Sequence, residues 1–341
     1  MYPPPEDQFE WIPDAEFPDH VSIALFVTAI IVISIGIVGN LGVLLVVART
    51  PDMRTPMYLC LSSLSVSDIF VLLILPIIPL TRLLINMETN LGVVICYMMS
   101  VFDKSSLTCS VLIVLFISVE RLIVVYRPLR AGQFITTKRT AISLTIIWLF
   151  SYAVNAGFIT MTEYHQRVIN GTHQEECAFF SLQPWQDPYF TAMICIFFFL
   201  PLIAIIVLNG FIIKRVAMDP PSDSSASEGT TVARRARRQA VVMIFIIVVL
   251  FIVCIAPFQV LVMIEIYGSD LLAPLTEVQW QALIWCSRFT TYINSAANPI
   301  VYNIVSSKFR AAMLKSLTCG KNKNTNASRI ESASRSTIFT T

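Results

Sequence analysis

Four groups of polar residues interrupt otherwise apolar stretches of this chain, and each carries a definite chemistry. Asp68 closes the run Ser62-Ser63-Leu64-Ser65-Val66-Ser67-Asp68, Asp103 adjoins Lys104, Glu120 adjoins Arg121, and Asn294, Ser295 and Asn298 gather just before Pro299. A lone carboxylate in apolar surroundings needs a cation, a proton or several hydrogen-bond donors. Ser110, Asn294, Ser295 and Asn298 could complete an oxygen cage around Asp68, and oxygen-only ligands suit a hard cation such as sodium. A neutral, protonated Asp68 satisfied by hydrogen bonds fits the same residues equally well. Glu120-Arg121 sets a permanent cation beside an acid that can restrain it. Asn298-Pro299 removes a backbone hydrogen bond and kinks its helix, the mark of a moving element, and Pro76, Pro79, Pro201 and Pro257 do likewise.

The elements that must hold these groups are membrane spans. Hydrophobic residues form 55% of the chain and charged residues only 13%, with a mean hydropathy of +0.71, whereas soluble domains carry roughly 25% charged residues. About 20 apolar residues cross the hydrocarbon core. Seven such stretches fall near 21–48, 58–83, 93–126, 140–161, 189–216, 236–267 and 278–304. Lipid leaves no partner for an open backbone, so the fold expected is an all-α membrane protein, a seven-helix transmembrane bundle. Its parts are an outer N-terminal segment (1–20), the core (21–304), a surface helix (305–318) and a disordered cytoplasmic tail (319–341). The first span follows acidic residues and no basic segment, so it reads as a retained helix rather than a removed signal peptide.

Lys and Arg crowd the segments after spans one, three, five and seven, including Arg234, Arg235, Arg237 and Arg238. The positive-inside rule then places the N-terminus outside the cell and the tail in the cytoplasm. Acids dominate the outer side, with Glu88, Glu163, Glu175, Glu176, Asp187, Glu265, Asp270 and Glu277 joining six at the N-terminus. Such a mouth attracts cations. Cys96 and Cys177 both face the oxidising side, where disulfides persist, while Cys60, Cys109, Cys195, Cys254 and Cys286 read as small buried residues. Asn170-Gly171-Thr172 is an accessible glycosylation sequon. Residues 306–317 alternate apolar and basic types at helical spacing, which suits a short amphipathic helix on membrane lipid. Cys319 beyond it is a candidate for palmitoylation, and the serines and threonines of the tail are phosphorylatable.

Nothing in the chain favours catalysis, a metal enzyme or nucleic-acid binding. No His-Glu-x-x-His helix, phosphate-binding glycine loop or Gly-x-Ser-x-Gly elbow occurs. Only three histidines exist, His20, His165 and His173, all outside the spans. Neither an enzymatic activity nor a cofactor is expected, apart from the sodium ion. A transporter, the rival class, would often show inverted repeats with paired broken helices, and none is visible. A retinal pigment would need a lysine in span seven, and the stretch between Lys214 and Lys308 has none.

Taken in order along the chain, Gly39-Asn40, Leu64-Ser65-Val66-Ser67-Asp68, Cys96, Glu120-Arg121, Trp148, Pro201, Phe251, Cys254-Ile255-Ala256-Pro257-Phe258 and Asn298-Pro299-Ile300-Val301-Tyr302 resemble the rhodopsin-like family of G-protein-coupled receptors. The resemblance covers about residues 30–317. It implies a Cys96–Cys177 disulfide and a ligand-driven outward swing of the inner end of span six. It also implies that Arg121 engages a heterotrimeric G protein while Tyr302 braces the opening, with Glu120, Asn298 and Pro299 part of the switch. Receptor kinase and arrestin would meet the phosphorylated tail at the plasma membrane. Four positions depart from the family pattern. Ile255 replaces a ligand-sensing tryptophan, Asn209 a tyrosine of span five, Leu122 the aromatic after Glu-Arg, and Arg237 an acid that clamps the span-three arginine. Arg121 would then lean on Glu120, and basal activity would be raised.

Arg127-Pro128-Leu129-Arg130-Ala131, Phe197-Phe198-Phe199-Leu200-Pro201 and the span-seven run look like peptide receptors of the ghrelin, neuromedin U, neurotensin and thyrotropin-releasing-hormone cluster. The long outer loop, about 162–188, suits a peptide-gripping hairpin. Asp103 lies seven residues, about two turns, from Cys96 and so points into the central cavity. It would pair with a basic peptide, among the pocket candidates Asp103, Lys104, Phe258, Gln259, Glu265, Arg288 and Tyr292. Two other readings stay open. A biogenic amine would use Asp103 with Tyr292, and an internal salt bridge would join Asp103 to Arg288 or Arg82. The step from Phe258 to Gln259 leaves span six without the paired aromatics an amine site stacks on its cation.

Overall fold

In hydrocarbon, a helix satisfies its backbone within a single segment, and the apolar stretches of this chain all take that form. The computed structural model describes residues 18–84, 90–169, 172–179, 184–218, 228–271 and 274–318. In chain order its helices are α1 (Asp19–Arg49), α2 (Pro56–Leu84), α3 (Asn90–Tyr126), the short α4 (Pro128–Phe134) and α5 (Thr137–Asn155). Then come α6 (Gln186–Ile194), α7 (Leu200–Ala217), α8 (Glu228–Cys254), α9 (Ala256–Tyr267), α10 (Glu277–Val305) and α11 (Ser307–Thr318). Six described stretches are long and apolar enough to cross a bilayer: Ile23–Arg49, Pro56–Leu73, Val93–Tyr126, Thr137–Met161, Gln186–Ala217 and Val241–Tyr267. The seventh span is α10, whose 29 residues reach about 44 Å. It reads as less apolar because Ser287, Arg288, Thr290, Asn294, Ser295 and Asn298 sit along it.

Two spans are jointed rather than continuous. The fifth passes from α6 into α7 through one π-turn, Cys195–Phe199, closed by Leu200 N–H donating to Cys195 O. Pro201 follows directly, and the wider turn accommodates a residue that has no N–H to give. The sixth breaks at Ile255 (φ −106°, ψ −42°) between α8 and α9. Pro257 cannot donate to the carbonyl four residues back, and its ring crowds that turn. Pro299, by contrast, sits within an unbroken α10.

The all-α expectation gains one exception outside the hydrocarbon. Strands β1 (Thr162–Ile169) and β2 (Thr172–Phe179) form an antiparallel hairpin in register Thr162↔Phe179 through Ile169↔Thr172. The loop that carries it is polar in sequence and lies beyond the apolar stretch Thr137–Met161, where backbone can pair strand to strand as a lipid-facing segment could not. Helix α3 is the central post of the bundle, packed against α2, α5, α7 and α8. Helix α1 lies against α2 and α10. Gly36 makes that approach close, since a Cβ there would lie 2.6 Å from Leu72 Cδ1 and 3.0 Å from Ala296 Cβ. Asn40 uses the proximity, donating from Nδ2 to Ser295 O at 3.0 Å. The outward faces carry bare apolar side chains such as Leu149 (68% exposed) and Val253 (60%), as lipid contact requires. Helix α11 turns Phe309 and Ala312 inward and leaves Lys308, Arg310, Leu314 and Lys315 exposed.

Candidate functional site

The polar residues assemble into three layers across the bundle. In the outer layer, α3, α9 and α10 bring five of the pocket candidates into contact. Arg288 Nη2 donates to Asp103 Oδ2 at 2.8 Å, and Lys104 Nζ lies 3.3 Å from the same oxygen. Arg288 also hydrogen-bonds Tyr292. Its guanidinium carbon sits 5.2 Å from the centre of the Phe258 ring. Lys104 Nζ lies 5.9 Å from that ring and 5.9 Å from Phe190, distances at which a cation is attracted to an aromatic face. Gln259, Lys104, Thr108, Asn155, Phe190 and Phe198 line a narrow cleft beside this cluster, between α3, α5, the fifth span and α9. Glu265 stands apart, farther out along α9. The internal salt bridge to Arg288 is thus the arrangement formed, while the Arg82 side chain lies outside the described residues.

The middle layer centres on Asp68, which is 1% exposed. Asn298 Nδ2 donates to Asp68 Oδ2 at 2.8 Å, and Ser295 also hydrogen-bonds the carboxylate. Ser110 turns elsewhere, donating to Ser67 Oγ at 2.9 Å, while Ser67 donates to Ser106 O at 2.7 Å. The oxygens Asn294 Oδ1 and Asn298 Oδ1 are enclosed and accept no hydrogen bond. A carboxylate bonded to Asn298, with Asn294 one turn away on the same helix and both amide oxygens unpartnered, fits a hard cation, with Ser110 at the margin of the set rather than in it. Just outward, Thr290 Oγ1 donates to Cys254 O at 2.6 Å, so a threonine of span seven caps a carbonyl at the break in span six.

In the inner layer, Glu120 and Arg121 part company. Glu120 Oε1 accepts from Thr140 Oγ1 at 2.8 Å, and its other oxygen accepts from Cys60 Sγ at 3.9 Å. Among the described residues Arg121 forms no ion pair, and its Nε is enclosed without a partner. The close Arg121–Glu120 pair expected from sequence is not formed; Thr140 on α5 and Cys60 on α2 hold the carboxylate instead. Tyr302 is wholly buried against Phe309, ring centres 6.2 Å apart, and its hydroxyl has no partner. Asn209, on α7, donates to Ser118 Oγ at 2.9 Å and to Ile205 O at 2.8 Å, a tie between spans five and three.

Sequence reasoning missed Thr290, Ser118, Thr140 and Cys60 as partners. Hydroxyl side chains in a helix bond their own backbone three or four residues back, so nothing in their spacing marked them as links between helices. Cys96 is disulfide-bonded. The side chain of Cys177, opposite Tyr164 in the hairpin, lies outside the described residues, as do Asn170, Cys319, the tail and the side chain of Arg237.

Comparison with known proteins agrees with this layered bundle. Residues 39–302 match the family model described as 7 transmembrane receptor (rhodopsin family). The chain is 28% identical over 319 residues to the thyrotropin-releasing hormone receptor of Gallus gallus, covering 87% of this chain and 79% of that one. It is 29% identical over 312 residues to the growth hormone secretagogue receptor type 1 of Oryctolagus cuniculus, covering 88% and 82%. The thyrotropin-releasing hormone receptor of Mus musculus is 26% identical over 335 residues, covering 92% and 84%. The resemblance drawn from the spans and their polar residues is borne out, and this multi-pass membrane protein belongs to the rhodopsin family of seven-transmembrane receptors.

Proposed function

We propose that the chain is a receptor activated by an extracellular peptide and signalling through a heterotrimeric G protein, set in the plasma membrane with its N-terminus outside. The similar proteins are named for a releasing hormone and a secretagogue, and the outer hairpin offers backbone for an extended ligand to lie against. One observation separates this reading from an amine receptor. An amine would need Asp103 and Tyr292 for its ammonium group, and Arg288 already engages both.

The inner layer supports the output. A buried polar group left without a partner costs about 1–3 kcal/mol, so Arg121 and Tyr302 both gain from a rearrangement that supplies one. Outward movement of α8 would open Arg121 to a G-protein segment. A sodium ion would be held by Asp68 with the oxygens of Asn294 and Asn298, and would supply positive charge to the middle layer. No enzymatic activity is part of this reading. Arrestin and receptor kinase would act on the tail, α11 would rest on lipid with Cys319 palmitoylated, Asn170 would carry glycan, and Cys177 would bridge to Cys96.

The test is guanine-nucleotide exchange on membranes bearing the full chain, challenged with a library of basic and amidated peptides and with biogenic amines as controls. Activation by peptide pools and silence toward amines is the expected result. Activation by amines alone overturns it.

A further inference from the structure

Glu265 lies seven residues beyond Phe258, about two turns and about 10 Å farther out along α9. Positions 258, 262 and 265 fall on one helical face at i, i+4 and i+7. Phe258 and Val262 on that face are 3% and 1% exposed, and Phe258 carries the Arg288 guanidinium. The face therefore looks into the bundle, above the Asp103 cluster. Glu265 Oε2 is enclosed there and accepts no hydrogen bond. Both ion pairs found among the described residues converge instead on Asp103. A carboxylate oxygen shielded from water with no donor is held at a cost that a cation, a hydrogen-bond donor or a proton on the carboxylate itself relieves. Asp103 is in the opposite condition, since Arg288 and Lys104 already share its Oδ2, and a third cation would meet the repulsion of both.

We infer that Glu265, and not Asp103, receives the positive group of the ligand, the guanidinium of a peptide. Asp103 is a positioning residue that fixes Arg288 and Lys104 over Phe258. This assignment rests on the peptide reading above. It places the ligand's charge on the outer wall of span six, about 10 Å from the level of Phe258, so that a different part of the peptide reaches the cationic floor.

The experiment uses two pools of amidated hexapeptides, one with arginine at a single position and one with the neutral analogue citrulline there. Nucleotide exchange is read on membranes bearing the full chain, with surface level checked by biotinylation. The wild-type receptor should favour the arginine pool by about tenfold or more in potency. Glu265→Gln should respond to both pools alike, and Glu265→Asp should keep the preference. Asp103→Asn should weaken the response to both pools while leaving their ratio unchanged. Should Glu265→Gln fail to reach the surface, Glu265→Lys is tested with an aspartate pool and should favour it over the arginine pool. Retention of the arginine preference by Glu265→Gln or Glu265→Lys overturns the assignment and leaves the peptide reading standing, as does an equal wild-type response to the two pools. Silence toward both pools, with activation by an amine panel, overturns the peptide reading and the assignment with it.

Discussion

Arg288 and Asp103, 185 residues apart in the chain, meet at 2.8 Å and join α10 to α3 in the outer half of the bundle. The two side chains are 21% and 15% exposed, so the pair is sheltered but not dry. A charge-assisted hydrogen bond of this kind is worth roughly 1.5–3 kcal/mol, and Lys104 adds a second cation to the same oxygen.

A double-mutant cycle measures that link. Asp103→Asn and Arg288→Gln should each lower the thermal midpoint of the detergent-solubilised receptor. The double variant should lose less than the sum, with a coupling of about 1–2 kcal/mol. Strict additivity would show that the two side chains do not work as a unit.

Spans three and five meet through Ser118 and Asn209 in the same manner. Asn209→Leu removes the donor to Ser118 Oγ, at an expected loss of about 1 kcal/mol of stability. Once Asn209→Leu is in place, Ser118→Ala should cost little more. A second full-sized loss in the thermal melt of the double variant would break the argument.

Arg121 forms no ion pair among the described residues, and Glu120 acts on it only at longer range, so little restrains it when ligand is absent. Ligand-free exchange should exceed that of receptor-free membranes. Arg237→Glu, which supplies an acid near the inner end of span six, should lower it by roughly twofold to fivefold, the worth of a partly exposed ion pair of about 0.4–1 kcal/mol. Exchange that stays at background before the substitution, or is unchanged after it, would count against this.

The Asp68 layer leads to a fourth expectation. Replacing N-methylglucamine chloride by sodium chloride at fixed ionic strength should depress ligand-free exchange by about fivefold, a coupling near 1 kcal/mol. Asp68→Asn should abolish the salt effect. Equal sodium sensitivity in the two proteins would remove the ion from the middle layer.

Much of the bundle was legible in the sequence because charge and amide groups are costly inside lipid. Asp68, Asp103, Glu120-Arg121 and Asn298 stood out for that reason alone, and Pro201 and Pro257 marked the joints in the fifth and sixth spans. The choice of partner was not legible. Whether Asp103 meets Arg288 or a ligand depends on how α3 and α10 are rotated about their axes, and packing sets that rotation. The same holds for Glu120, whose nearest cation in sequence is Arg121 but whose partners in space are Thr140 and Cys60. Span seven shows the reverse limit, since the polar residues that reveal its role also dilute its apolar signal.

The break at Ile255 makes the sixth span a lever of unequal arms, with Thr290 as the clasp at its fulcrum. Helix α8 has 27 residues and α9 has 12, so the inner arm is about 40 Å long and the outer about 18 Å. Each 10° of bend at that point carries the free tip of α8 about 7 Å, against about 3 Å at the free tip of α9. Isoleucine there supplies no broad aromatic plate for a ligand to push. An input to this lever would act along the outer arm, at Phe258 under the Arg288 cluster or at the far end where Glu265 stands, or through the threonine that holds the pivot.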